Sequence, residues 1–147
     1  MFQVLRNKAK AVKRLNEKQL LKLLFLDRAI KNLIIEYNTD NQLYEQGIDA
    51  DGESLGEYSL KTIAIKISKG QPTDRVPLKD TGDFYKSFRV VAGKDSFEIT
   101  ANTVKDDSDL IETYGESIIG LTDESKAELI FNLLPLLIHE AKKKLEI

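Results

Sequence analysis

An α+β domain is what this sequence predicts, with two long helices packed on a small antiparallel β-sheet and short connecting helices. Three patterns predict it. Apolar residues recur at three- and four-residue spacing from Leu20 to Tyr37 and again from Leu129 to Leu145. Residues of high strand preference fill Ser87 to Ala92 and Ser96 to Ala101 on either side of Gly93-Lys94-Asp95. Between the helical periods lies a turn-rich stretch punctuated by Gly, Asp and Pro. At 147 residues the chain fits one domain, with 1–15 read as a basic N-terminal arm and 16–147 as a single α+β domain.

The elements follow in order. Residues 1–15 lack a clean apolar period. Asn16 can cap a helix, with Gln19 at the third position of a capping box and Glu17 in the first turn. Leu20, Leu23, Leu24, Leu26, Ile30, Leu33, Ile34 and Tyr37 then form the stripe of an amphipathic helix of about 20 residues. That helix either breaks at Asn38-Thr39-Asp40-Asn41 or runs on to Gln46, ending at Gly47 as a left-handed cap. Ile63, Ile65 and Ile67 alternate with polar or small residues as a strand would, stopped by Gly70 and Pro72; a helical turn starting at Ser59 fits nearly as well.

Thr81 to Phe88 reads as a short helix capped by Asp80 or Thr81, leading into the hairpin. Phe84 and Phe88, four apart, share one face of it and pin it to the sheet. A further short helix around Ser108 to Tyr114 ends at Gly115. The last helix starts at Thr122, which can cap it, with Asp123 and Glu124 at the positive end of its dipole. Leu129, Ile130, Leu133, Leu134, Leu137, Ile138, Ala141 and Leu145 mark its expected buried face, and Pro135 should kink or restart it. Phe84, Phe88, Phe97 and Ile99 are expected to share one core with Leu133 and Leu137.

Composition narrows the chemistry. Hydrophobic residues are 41% and charged residues 31%, as in ordinary globular domains. With no cysteine, disulfides and thiolate metal sites are excluded. No apolar run reaches the roughly 18 residues of a membrane span, and the N-terminus shows no signal-peptide core. A soluble, cytoplasmically made protein is expected.

Asp49-Ala50-Asp51-Gly52 invites a calcium-loop reading, and it fails. With Gly52 at the loop's central glycine, Gly47 and Tyr58 fall where the first and last carboxylate ligands belong. An Asx-type turn remains. Gly93-Lys94 is no phosphate loop, because Asp95 and Phe88 occupy the positions of its Ser/Thr and first glycine. Glu124-Ser125-Lys126 has a nuclease-like spacing but sits in a helix's first turn rather than on a strand. His139, the only histidine, can complete neither a histidine zinc site nor a triad. Neither an enzyme activity, a cofactor nor a small-molecule substrate is expected.

Charge is segregated along the chain. Arg6, Lys8, Lys10, Lys13, Arg14, Lys18 and Lys22 are opposed only by Glu17, whereas Asn32 to Leu60 carries acids and no Lys or Arg. A second acidic patch spans Asp106, Asp107, Asp109, Glu112 and Glu116. Unlike patches of this kind can register copies of a chain head to tail. The expected partner contacts are therefore Arg6, Lys8, Lys10, Lys13 and Arg14 on one side and Asp106, Asp107 and Asp109 on the other. The basic run has no interleaved aromatics beyond Phe2, so single-stranded nucleic acid lacks a stacking platform.

The most informative stretch is Gln46 to Gly120. A Gly47-to-Glu53 turn containing Asp51-Gly52 precedes Tyr58-Ser59-Leu60-Lys61-Thr62. Leu78-Lys79-Asp80-Thr81-Gly82-Asp83-Phe84-Tyr85-Lys86-Ser87-Phe88 follows, then the hairpin, then Tyr114-Gly115. That order of landmarks resembles the bacteriophage virion-morphogenesis and tail-completion (neck, head–tail connector) proteins. Gly52, Tyr58, Leu60, Thr62, Leu78, Thr81, Gly82, Phe84, Ser87, Phe88, Tyr114 and Gly115 carry the resemblance, with Tyr58 standing where many relatives have tryptophan. It implies a structural virion component at the head–tail junction or the top of the tail, acting in virion assembly as a homo-oligomeric ring or assembly factor. Its partners would be other neck, tail or connector proteins, with no cofactor and no membrane. These residues are expected to make the fold, leaving the arm and acidic loops to make contacts. A rival expectation is a small nucleic-acid-associated or regulatory protein using Arg6 to Lys22.

Overall fold

Asp27 caps a helix. The computed structural model describes residues 27–93 and 96–145. The Asp27 carboxylate accepts from the amides of Ala29 and Ile30 at 2.8 and 3.2 Å. Its own backbone is extended, so helix α1 (Arg28–Glu36) begins there. The expected unbroken helix from Leu20 to Tyr37 is therefore interrupted, because an N-cap residue leaves the helical region to offer its side chain to free amides. The Asn16 cap, the Leu20–Leu26 stripe and the arm at 1–15 lie outside the described residues.

Beyond α1 the helix does not break at Asn38-Thr39-Asp40-Asn41. It widens into a π-helical segment, Tyr37–Gln46, and ends at Gly47. Gly47 has φ 63°, and a Cβ there would lie 2.8 Å from the Arg75 Cβ, so both backbone and space require glycine.

The Ile63–Ile67 alternation belongs to a helix, α2 (Leu60–Ser68), in which Ser59 caps Thr62. Among the described residues no strand pairs with it, and the cap settles the choice that period alone left open. Thr81 and Gly82 lead to α3 (Asp83–Lys86), where the Thr81 hydroxyl accepts from the Asp83 amide. Strands β1 (Arg89–Ala92) and β2 (Phe97–Thr100) form the expected hairpin, with Val90 opposite Ile99. A second two-stranded sheet joins β3 (Val104–Lys105) and β4 (Ser108–Asp109). Then come α4 (Leu110–Tyr114), a 3₁₀ turn (Glu116–Ile118) and α5 (Asp123–Leu145). The fold class is α+β, as predicted. Thr122 caps α5 through the Ser125 amide at 3.0 Å. Pro135 sits inside α5, which neither ends nor restarts there.

The expected single core is two. Ile30, Ile34, Tyr37, Val90, Leu121, Leu129 and Leu133 form one cluster, against which Phe97 and Leu137 pack. Leu43, Tyr85, Phe88 and Ile118 form the other, with Phe84 beside them. Ile35 and Ile99 touch both. Phe88 and Phe97 lie at opposite ends of the hairpin, since Phe97 pairs with Ala92, four residues beyond Phe88, so one face of the hairpin meets a different cluster at each end. Phe84 and Phe88 do meet, with ring centroids 5.0 Å apart, edge to face.

A buried polar clamp binds the two halves of the chain. Asn38 and Gln42 are fully buried and continue the four-residue stripe of Ile30 and Ile34. Asn38 donates to the Ile118 carbonyl at 3.1 Å and accepts from the Gly120 amide at 2.7 Å. Gln42 donates to the Gly120 carbonyl and accepts from the Thr122 amide, both at 2.9 Å. Two side chains thus satisfy the backbone of residues 118–122, which belongs to no sheet.

Candidate binding cleft

An open cleft of about 440 Å³ lies between α2, the segment before α3, the β3–β4 hairpin and α4. Its floor is apolar, from Val76, Leu78, Phe84 and Leu110. Lys66, Lys79, Lys105, Asp80, Asp83 and Asp106 surround it, with the phenols of Tyr58 and Tyr114 on its wall.

Local chemistry places each side chain. The Ser59 cap starts α2, and Lys66 lies two turns on, where its ammonium sits 5.3 Å from the centre of the Tyr58 ring. Lys79 lies over two rings, 4.9 Å from Tyr44 and 5.3 Å from Tyr85. Between Pro77 and Lys79, Leu78 is held at φ 55°, a conformation that costs a non-glycine residue about 1–3 kcal/mol. The Tyr85 hydroxyl donates to the Pro77 carbonyl and fixes the preceding turn. Burial pushes the Tyr85 phenol far above its ordinary range, so it stays a donor at any physiological pH.

Asp80 ties three elements together. It accepts from Lys69 at 3.0 Å, from Gln71 at 3.3 Å and from Lys105 at 3.4 Å. The Lys69 hydrogen bond, followed by that of Gln71, holds its carboxyl well below the usual carboxylate range. Burial raises the Tyr58 phenol, helped by neighbouring Tyr114 and Asp80. The cleft therefore joins an apolar floor to a ring of balanced charge. That arrangement suits a protein segment of mixed polarity. Among the described residues, no three His, Cys, Asp or Glu side chains are grouped to hold a metal, and no helix is long and apolar enough to cross a membrane.

Of the residues singled out in the sequence, Tyr58, Leu78, Thr81, Gly82, Phe84, Tyr114 and Asp106 meet in this cleft. Leu60, expected to help make the fold, is instead 86% exposed at the start of α2, and most of the others do structural work elsewhere. Gly52, at φ 79°, closes the Asx turn in which Asp49 accepts from the amides of Asp51 and Glu53. Burial raises the Asp49 carboxyl, but the Ser117 hydroxyl at 2.7 Å and those amides outweigh it and lower it overall. Thr62 belongs to the Ser59 cap. Ser87 joins α3 to the segment after β2, accepting from the Asn102 amide at 2.9 Å. Phe88 is in the core, and Gly115 ends α4.

Asp109, one of the expected partner contacts, is half-buried and caps α4, its carboxylate accepting from the Ile111 amide at 3.0 Å. Asp107 is exposed in the β3–β4 turn. Arg6, Lys8, Lys10, Lys13 and Arg14 lie outside the described residues. Asp80, read as a cap, is instead the ion-pair hub. Lys66, Lys79 and Lys105 were not legible as site residues, since isolated lysines carry no spacing signal. Asn38 and Gln42 did carry one: polar residues continuing an apolar stripe.

No family model, curated protein or solved structure matches this chain.

Proposed function

We propose that this chain is a structural protein of a phage virion, a tail-completion or neck component at the head–tail junction, acting in assembly. One observation carries the reading. Six of the residues behind the sequence resemblance, from Tyr58 to Tyr114, converge on a single open cleft although 56 positions separate the first from the last. Their order in the chain thus corresponds to one spatial unit, and its mixed lining suits a segment of another protein. In this reading the chain is homo-oligomeric, is made in the host cytoplasm, and meets other neck, tail or connector proteins in the virion.

Particle assembly with this reading frame interrupted is the test. The expected result is heads and tails that fail to join or mature, rescued by the chain supplied in trans but less well by Tyr58→Ala with Tyr114→Ala. Normal infectious particles, or particles that never contain the chain, would sink the proposal.

A further inference from the structure

The outer face of α5 is apolar, exposed and symmetric in sequence. Leu129, Leu133 and Leu137 turn toward the core, the first two buried and the third half-buried. Ile130, Leu134 and Ile138, expected on the buried face, are instead 66%, 48% and 48% exposed, and Phe131 beside them is 77% exposed. At 3.6 residues per turn, Ala127, Ile130, Leu134, Ile138 and Ala141 fall on this one outer face. A helix apolar on two faces normally buries both.

We propose that this face is a two-fold interface at which a second copy of the chain packs antiparallel, with Leu134 at the axis. The residue order supplies the reason. Ala, Ile, Leu, Ile, Ala, at separations of three, four, four and three, reads the same in both directions about Leu134. A two-fold axis reverses the partner helix, so Ala127 meets Ala141, Ile130 meets Ile138 and Leu134 meets itself. Size matches size at every level.

Charge selects the same direction. Asp123 and Glu124 occupy the first turn of α5, and Lys142 and Lys143 follow Ala141. Antiparallel pairing brings the acidic start of each helix beside the basic end of the other and opposes the two helix dipoles. Parallel pairing would set like charges side by side. An unrelated partner would require no mirror symmetry in the apolar pattern. The interface concerns how two copies join, and it stands or falls independently of the virion proposal.

The absence of cysteine from the chain makes the test clean. In full-length Leu134→Cys, mild oxidation should join the two axial thiols into one disulfide, the oxidant taking two electrons, and give a covalent dimer. Ile138→Cys should remain unlinked to its own copy, because symmetric positions there lie about 12 Å apart along the axis, beyond disulfide reach. Mixing it with Ile130→Cys should yield the crossed dimer. Leu134→Asp should shift the light-scattering mass from two chains to one with an unchanged circular dichroism spectrum. Three results would overturn the proposal. They are a wild-type monomer at high concentration (with residues 1–26 of the same chain covering the helix or nothing covering it), Ile138→Cys linking to itself as readily as Leu134→Cys, and Leu134→Asp associating like wild type.

Discussion

Replacing Gln42 by leucine removes the clamp at its centre while nearly preserving volume. The wild-type side chain is fully buried and makes two bonds of 2.9 Å, to the Gly120 carbonyl and from the Thr122 amide. Leucine can make neither, and each backbone group stranded away from water costs about 1–3 kcal/mol. Gly120 and Thr122 are half-buried, so water recovers part of that loss. The apolar side chain also gains from burial, which offsets a further fraction. The net expectation is a loss of about 2–4 kcal/mol, roughly 5–15 °C in melting temperature for a domain of this size. Urea unfolding followed by circular dichroism measures the first, and hydrogen exchange at the amides of residues 118–122 shows where protection is lost. Asn38→Leu should couple non-additively with it, since both side chains bind Gly120. A Gln42→Leu protein within about 0.5 kcal/mol of wild type, with unchanged exchange at Thr122, would refute the reasoning, because the clamp would then add nothing over an apolar contact.

Other expectations follow from single sites. Phe88→Ala, at a side chain only 1% exposed, should cost about 3–5 kcal/mol; an unchanged melting temperature would place the residue outside the core. The Asp49 carboxyl is lowered in the fold, so its contribution is present above the unfolded value near ~3.9 and lost as pH falls through the folded value. Urea midpoints between pH 7 and pH 3 should therefore drop less for Asp49→Asn than for wild type, and parallel curves would count against the assignment. Calorimetric titration with calcium should show no stoichiometric micromolar site at Asp49, Asp51 and Glu53, since both Asp49 oxygens are held by Ser117 and backbone amides; saturable binding lost in Asp49→Asn would contradict this.

Local chemistry made much of the architecture legible in the residues alone. Gly47 announced the end of the first helix, because its position permits the left-handed cap. Thr122 announced the start of the last one, which it caps through the Ser125 amide. The strand-forming residues around Gly93 placed the hairpin, and Gly115 ended α4. Each of these signals is complete within a few neighbouring residues. The alternation of Ile63, Ile65 and Ile67 was ambiguous for the converse reason: period 2 over a short run does not distinguish a strand from a helix without knowledge of a pairing partner.

What the chain determined by itself is thus the kind of most elements and many of their ends, since caps, turns and periods act within one or two turns. Tertiary structure alone decided which faces are covered and whom the polar groups meet. Gln42 found its carbonyl 78 positions away, and Asp80 drew Lys105 to it across 25. It also divided the expected core into two clusters and left Ile130, Leu134 and Ile138 outside both. An apolar stripe specifies that a face should be buried, but the partner that buries it is chosen by how the whole chain packs, or by a second chain.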